Sequence, residues 1–128
     1  MTSRASREFS PEPGEVAAAR QFARAVATGW GIDVGDLVVV VGELAANAVL
    51  HARSTYSVTL RHDGDRVVVE VADRNARMPS PAAVPARALS GRGLTIVEQL
   101  ARSWGVRPEA DGKVVWAELW APPLPVSA

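Results

Sequence analysis

The stretch that decides the fold is Val38–Ala52, VVVVGELAANAVLHA, an apolar run interrupted by one carboxylate, Glu43, and one carboxamide, Asn47. Four successive valines favour a strand by propensity. A strand of this length would be anomalous, however, and the alanine-rich second half is a good helix former. With Asp33 placed to cap it, we predict a helix over residues 34 to 51, on which Glu43 and Asn47 lie one turn apart on the same face.

Two rows of side chains run along this predicted helix. The row expected to be buried contains Leu37, Val41, Leu44 and Ala48. The opposite row, expected to face water, contains Asp36, Val40, Glu43, Asn47 and His51. The polar members of that row are either an ordinary solvated helix face or part of a ligand site, and their spacing alone leaves both readings open.

The rest of the chain predicts two more helices and two hairpins. Apolar residues recur at helical spacing from Pro13 to Gly31 and again after the glycines near residue 91. Alternating segments at 55–62 and 66–73, and at 104–109 and 114–120, predict two antiparallel hairpins. Residues 1–10 and 122–128 are expected to be loose tails, the first being at most a short edge strand. We predict an α+β two-layer sandwich: an antiparallel or mixed sheet of four to five strands, covered on one face by about three helices.

Composition limits the possible functions. The 128 residues are expected to form one domain, and 14 basic residues balance 14 acidic ones without a basic stripe, which disfavours direct nucleic-acid binding. The lack of cysteine excludes disulfides, thiolate metal sites and cysteine nucleophiles. His51 and His62 lack partners at metal-ligand spacing, so a zinc site is not favoured. With no signal-like segment and no long uninterrupted apolar run, we expect a cytoplasmic protein that does not bind a membrane.

Two further motifs could carry chemistry. Asp73 ends a predicted strand where a long segment with three prolines begins, and this position suits either a ligand-binding carboxylate or a turn-initiating residue. The tetrapeptide Gly91, Arg92, Gly93 and Leu94 opens the third helix, where backbone amides and the helix dipole can hold a phosphate. A Gly-x-Gly before a helix is also a common plain turn, and the Walker lysine and the preceding strand of dinucleotide folds are missing.

Taken together, these motifs resemble a known family. Four features follow one another along the chain: Glu43 with Asn47 on a helix, Asp73 after a strand, a proline-rich segment and the Gly91 turn. This order is similar to that in the ATP-binding domain of gyrase, Hsp90, histidine kinases and MutL. Within that group the short form resembles the bacterial anti-sigma-factor serine kinases. The resemblance runs from Pro13 to Ala121 and includes ELAANAVLHA, GRGLTIVEQLA and GKVVWAEL.

The resemblance implies roles for each candidate residue. Asn47 would coordinate Mg²⁺, and Glu43 would orient or deprotonate the attacking hydroxyl. Asp73 would accept a hydrogen bond from the adenine amino group, and the amides of residues 91 to 94 would hold the phosphates of ATP. Magnesium prefers hard oxygen ligands, and phosphoryl transfer needs positioning and charge neutralisation, so this chemistry suits the residues.

Two departures from the family pattern affect the functional expectation. Asn75 and Arg77 stand where glycines are expected after Asp73, and Val114 stands where a threonine is expected in the last hairpin. The leading hypothesis is an ATP-dependent serine kinase and anti-sigma factor whose partners are a sigma factor, an antagonist protein or both, with a homodimer possible. The alternative is a non-catalytic ATP- or protein-binding module of the same fold. A histidine kinase is less favoured because no phospho-accepting or dimerisation region precedes Pro13.

Overall fold

The fold is built on a five-stranded sheet in which every neighbouring pair of strands is antiparallel. A computed structural model describes residues 2–74 and 92–125 of the chain. The strands are β1 (Thr2–Phe9), β2 (Tyr56–Asp63), β3 (Arg66–Asp73), β4 (Ser103–Glu109) and β5 (Gly112–Trp120), and they lie in the order β1-β2-β3-β5-β4. The helices are α1 (Glu15–Trp30), α2 (Gly35–Asn47) and α3 (Arg92–Leu100), and a π-helical turn, Ala48–Ala52, continues α2.

The sheet and helices form two layers around one core. Alternate residues of the three central strands are buried and face the helices, as expected for a sheet covered on one side. The buried residues of these strands include Val58, Leu60, Val67, Val69, Val71, Val115, Ala117 and Leu119. The predicted α+β two-layer sandwich is confirmed, with five antiparallel strands and three helices in the described part of the chain.

Of the two forms predicted for the N-terminal segment, a loose tail or at most a short edge strand, the structure has the strand. Thr2–Phe9 is not a loose tail but an eight-residue edge strand that pairs with the whole of β2. Phe9 is buried and stacks on Tyr56, and this contact fixes the end of β1 against the core. The C-terminal segment is also attached, because Pro123 forms a β-bridge with Ile32 and the Leu124 amide donates to the Gly31 carbonyl.

Helix α2 occupies the centre of the helical layer. It contacts α1, α3 and strands β2, β3 and β5. The prediction that Val40 faces water is therefore wrong, since its side chain is fully buried, and Asn47 on the same row is 3% exposed. Gly35–Ala52 is long and apolar enough to cross a membrane, but 56% of this window is buried inside the domain, as in the core helix of a globular protein.

The other face of the sheet carries a network of charged residues. Glu70 is buried in the middle of this face and accepts from Arg61 at 3.0 Å and from Arg107 at 3.1 Å. The hydrogen bonds from Arg107 to Glu70 and to Glu109 raise the pKa of the guanidinium further. These contacts join β2, β3 and β4 across the face of the sheet opposite the three described helices.

Candidate functional site

The candidate residues Asn47 and Asp73 lie on elements that contact one another, because α2, the π turn after it and β5 all contact β3. The C-terminal end of α2 carries Asn47, and the π turn that follows carries His51 and contacts β3. Asp73 is the last residue of β3, and Lys113 lies opposite it in β5. A π turn is rare and is often found at functional sites, because it re-aims the side chains that follow it.

Asn47 is the most unusual polar group at this site. It is 3% exposed, and its Oδ1 has no hydrogen-bond partner in the described chain. Most buried side-chain oxygens are satisfied, and an exception often marks a missing ligand or water. The free carboxamide oxygen is a hard ligand of the kind that Mg²⁺ accepts.

Glu43 and His51 stand one turn before and one turn after Asn47. Glu43 is half-buried and makes no hydrogen bond or ion pair with another described residue, so its carboxylate is available for an external group. Burial and the nearby positive charge of Lys113 lower the pKa of His51. Lys113 is the second residue of β5, so this electrostatic effect links the π turn to the start of that strand.

Asp73 forms a buried ion pair. Its Oδ2 accepts a hydrogen bond from Nζ of Lys113 at 2.6 Å, and the two side chains are only 3% and 7% exposed. The pair arises from the register of the sheet, in which Asp73 and Lys113 are direct cross-strand partners on the helix side. A lysine would otherwise be strongly disfavoured at such a buried position.

Gly112 allows β3 and β5 to approach each other at this point. A Cβ at Gly112 would overlap the backbone carbonyl of Asp73 and lie 3.1 Å from its carboxylate. Only glycine avoids this overlap, so residue 112 positions both members of the ion pair.

The predicted phosphate turn is only partly within the described chain. Gly91 and the segment from Asn75 onwards lie outside the described residues, so the glycine turn and the replaced glycines stay predictions. Helix α3 begins at Arg92, and Leu94 in its first turn packs its side chain in the core at 2% exposure. A role of Leu94 in holding phosphate would therefore involve its backbone amide.

Sequence reasoning missed Lys113 and singled out its neighbour Val114. In the structure Val114 is buried opposite Ala72, whereas Lys113 contacts Asp73. The signal that could have found Lys113 is compositional, since it is the only lysine among 14 basic residues and follows a glycine at a predicted turn. Within residues 2–74 and 92–125 no three histidine, aspartate or glutamate side chains cluster as a metal site, so a cation here would depend on Asn47 and on the ligand itself.

Comparison with protein families identifies the fold. Residues 9–119 match the family described as the histidine kinase-like ATPase domain. The chain belongs to this family. The match spans every described helix and all of β2 to β4, and it confirms the broad resemblance inferred from Glu43, Asn47, Asp73 and the Gly91 turn.

Solved structures support the same fold for this histidine kinase-like ATPase domain. One similar structure is that of the RsbU and RsbW domains of Rv1364c from Mycobacterium tuberculosis, with a TM-score of 0.68 and 17% sequence identity. The alignment covers 98% of this chain but 35% of that protein, so this domain corresponds to about a third of its structural neighbour. No curated protein sequence is significantly similar to this chain.

Proposed function

We propose that this domain is a cytoplasmic anti-sigma factor with Mg-ATP-dependent serine kinase activity towards an antagonist protein. The observation that carries the proposal is the buried Oδ1 of Asn47, which has no partner among the described residues, one turn from the half-buried Glu43. Membership of the histidine kinase-like ATPase family and the shape shared with a protein containing an RsbW domain support it.

Each residue has a defined task in the proposed reaction. Asn47 offers its carboxamide oxygen to Mg²⁺, which supplies charge neutralisation at the phosphates when it is bound. Asp73 accepts a hydrogen bond from the amino group of adenine, and the backbone of residues 91 to 94 holds the phosphates. Glu43 accepts the proton of the substrate serine hydroxyl while the serine oxygen forms a bond to the γ-phosphorus, and ADP leaves.

A second candidate function is a non-catalytic binding module with an altered nucleotide site. The specific observation in its favour is the ion pair of Asp73 with Lys113, which engages the carboxylate that would contact adenine. Such a module would contact the sigma factor or the antagonist without transferring phosphate.

Thermal denaturation with ATP or ADP, with and without Mg²⁺, tests the nucleotide part of the proposal. A ligand that binds only the folded state at 100 times its Kd stabilises by about 2.7 kcal/mol, which raises Tm by several degrees. We expect Asn47→Ala to abolish the Mg²⁺-dependent part of this shift. Asp36→Asn, which neutralises an exposed carboxylate at the other end of α2, is the matched control and should retain it.

Phosphate transfer to serine-containing antagonist candidates tests the kinase part. We expect Glu43→Gln to bind ATP within about threefold of wild type and to lose at least about 100-fold in transfer rate. If wild-type protein binds Mg-ATP and labels no candidate, the binding module is the better description. If no nucleotide stabilises wild type, the ATP-dependent function is wrong.

A further inference from the structure

The chain contains one lysine, and it is buried. Every arginine whose side chain the structure describes is exposed, whereas Lys113 is 5% exposed. Long basic side chains normally keep their charge in water, and a buried one requires a partner. Lys113 has this partner in Asp73, at 2.6 Å.

The ammonium of Lys113 and the amino group of a nucleotide base would use the same acceptor. Both are N–H donors, and Oδ2 of Asp73 already accepts a short charge-assisted bond from Nζ. The ammonium also carries a positive charge that attracts the carboxylate, whereas a base amino group offers a hydrogen bond without this attraction, so the neutral base is the weaker partner. With Asp73 only 7% exposed, little of its surface remains for a second donor.

We infer that Lys113 sets the nucleotide affinity of this domain, because its ion pair with Asp73 must be displaced or shared before the carboxylate can accept from the base. This inference rests on the proposed nucleotide function. It makes Lys113 an intramolecular competitor of the base, placed by the β3–β5 register and by the close approach at Gly112.

Removal of the lysine charge should make ligand binding tighter. In Lys113→Met the buried Asp73 carboxylate loses its cation, which destabilises the unbound protein. A base amino group restores a donor to that carboxylate, so part of the lost stability returns when the ligand binds. Because the substitution destabilises the unbound protein more than the ligand-bound protein, Lys113→Met should bind the ligand with higher affinity than wild type.

Calorimetric titration with adenosine and with Mg-ADP tests the inference. We expect Lys113→Met to bind both ligands at least about tenfold more tightly than wild type, and we expect Asp73→Asn in the same background to remove the gain. Arg66→Met removes one positive charge from the other end of β3 and should leave both affinities unchanged. Adenosine separates the effect of Lys113 on base binding from its attraction for phosphate, because adenosine has no phosphate that the lysine charge could attract.

Each outcome distinguishes the inference from the proposed function. Unchanged affinity in Lys113→Met, or weaker Mg-ADP binding with unchanged adenosine binding, would overturn the inference and leave nucleotide binding intact. Binding of both ligands by Lys113→Met and of neither by wild type would support the inference and contradict ATP-dependent activity of the natural chain. If neither protein binds either ligand, both are wrong.

A folding defect would not prevent the test. If Lys113→Met is unfolded alone, circular dichroism with millimolar adenosine, repeated on Lys113→Thr, replaces the titration. Recovery of helical signal with adenosine supports the inference, and absence of recovery in both variants overturns it.

Discussion

A buried amide oxygen without a partner costs free energy in the folded state. Oδ1 of Asn47 is such an oxygen within the described part of the chain, and asparagine is also a weaker helix former than alanine. We expect Asn47→Ala to raise the stability of the ligand-free protein by about 1 kcal/mol, although the substitution leaves a small void. Urea denaturation without nucleotide measures this change.

The opposite result would assign Asn47 a different role. A loss of more than about 1 kcal/mol in Asn47→Ala would mean that the carboxamide stabilises the ligand-free fold. Asn47 would then be structural, and the argument for a metal ligand would fail.

The titration of His51 reports the charge of Lys113. Burial and Lys113 lower the pKa of His51 in the folded protein relative to its ordinary value of about 6.5. The unfolded chain therefore binds more protons just below pH 6.5, so this group makes the fold less stable as the pH falls from 6.5 towards the lowered pKa. Above pH 6.5 its contribution is constant.

We expect Lys113→Met to raise the pKa of His51 towards its ordinary value, because one of the two causes of the shift is removed. An NMR titration of the imidazole resonances checks this. An unchanged pKa would mean that burial alone accounts for the shift.

Some residues of the candidate site could be predicted from the sequence, and one contact between them could not. Asp73 could be found because it ends an alternating segment, and Glu43 and Asn47 because of their helical spacing. The contact between Asp73 and Lys113 could not, because it depends on a strand register set by residues 40 positions apart. The adjacent residue, Val114, has its side chain on the other face, so an error of one position changes the chemistry completely.

At the scale of elements, the join between β3 and β5 depends on Gly112. A methyl group there would overlap the Asp73 carbonyl, which is backbone and cannot move without distorting the sheet. We expect Gly112→Ala to destabilise the protein by about 2–4 kcal/mol and to disrupt the Asp73–Lys113 pair. Differential scanning calorimetry measures the loss.

Gly14→Ala is the matched control for this substitution. Nothing lies within 4 Å of a Cβ added at Gly14, so we expect a change within about 0.5 kcal/mol. Equal effects of the two substitutions would show that the close approach at Gly112 is unimportant.

The elements also differ in how much the sequence reveals about them. The helical character of α2 could be predicted from its length and its alanine-rich half, but its burial on two sides depends on α1 and α3. Its last predicted turn is π-helical, a change that no residue pattern indicated. Strand β1 consists mostly of polar and charged residues without an apolar face, and main-chain pairing with β2 and the buried Phe9 order it.

At the scale of the molecule, β1 protects an edge of the sheet. Its removal would leave the full length of β2 with unpaired backbone groups, which promote pairing with other chains. We expect a protein lacking residues 1–8 to lose about 2 kcal/mol of stability, roughly 5–10 °C in Tm, and to self-associate. Thermal denaturation and size-exclusion chromatography with light scattering measure the two effects.

Arg4→Ser provides the comparison for this truncation. Its exposed side chain lies in the middle of β1 and the substitution keeps the main-chain pairing, so Tm should change by no more than about 2 °C. If the truncated protein matches the full chain in Tm and stays monomeric, β1 has no protective role.

Because the only lysine is buried in the candidate site, its chemical modification would report when this site opens. Apart from the amino terminus, Nζ of Lys113 is the one primary amine that an acylating reagent could modify, and the fold shields it. Reagents of this kind require an unprotonated and accessible amine, so acylation of Lys113 would occur when the ion pair with Asp73 opens. Mass spectrometry of the labelled peptide over time would therefore measure the rate of these openings without any amino-acid substitution.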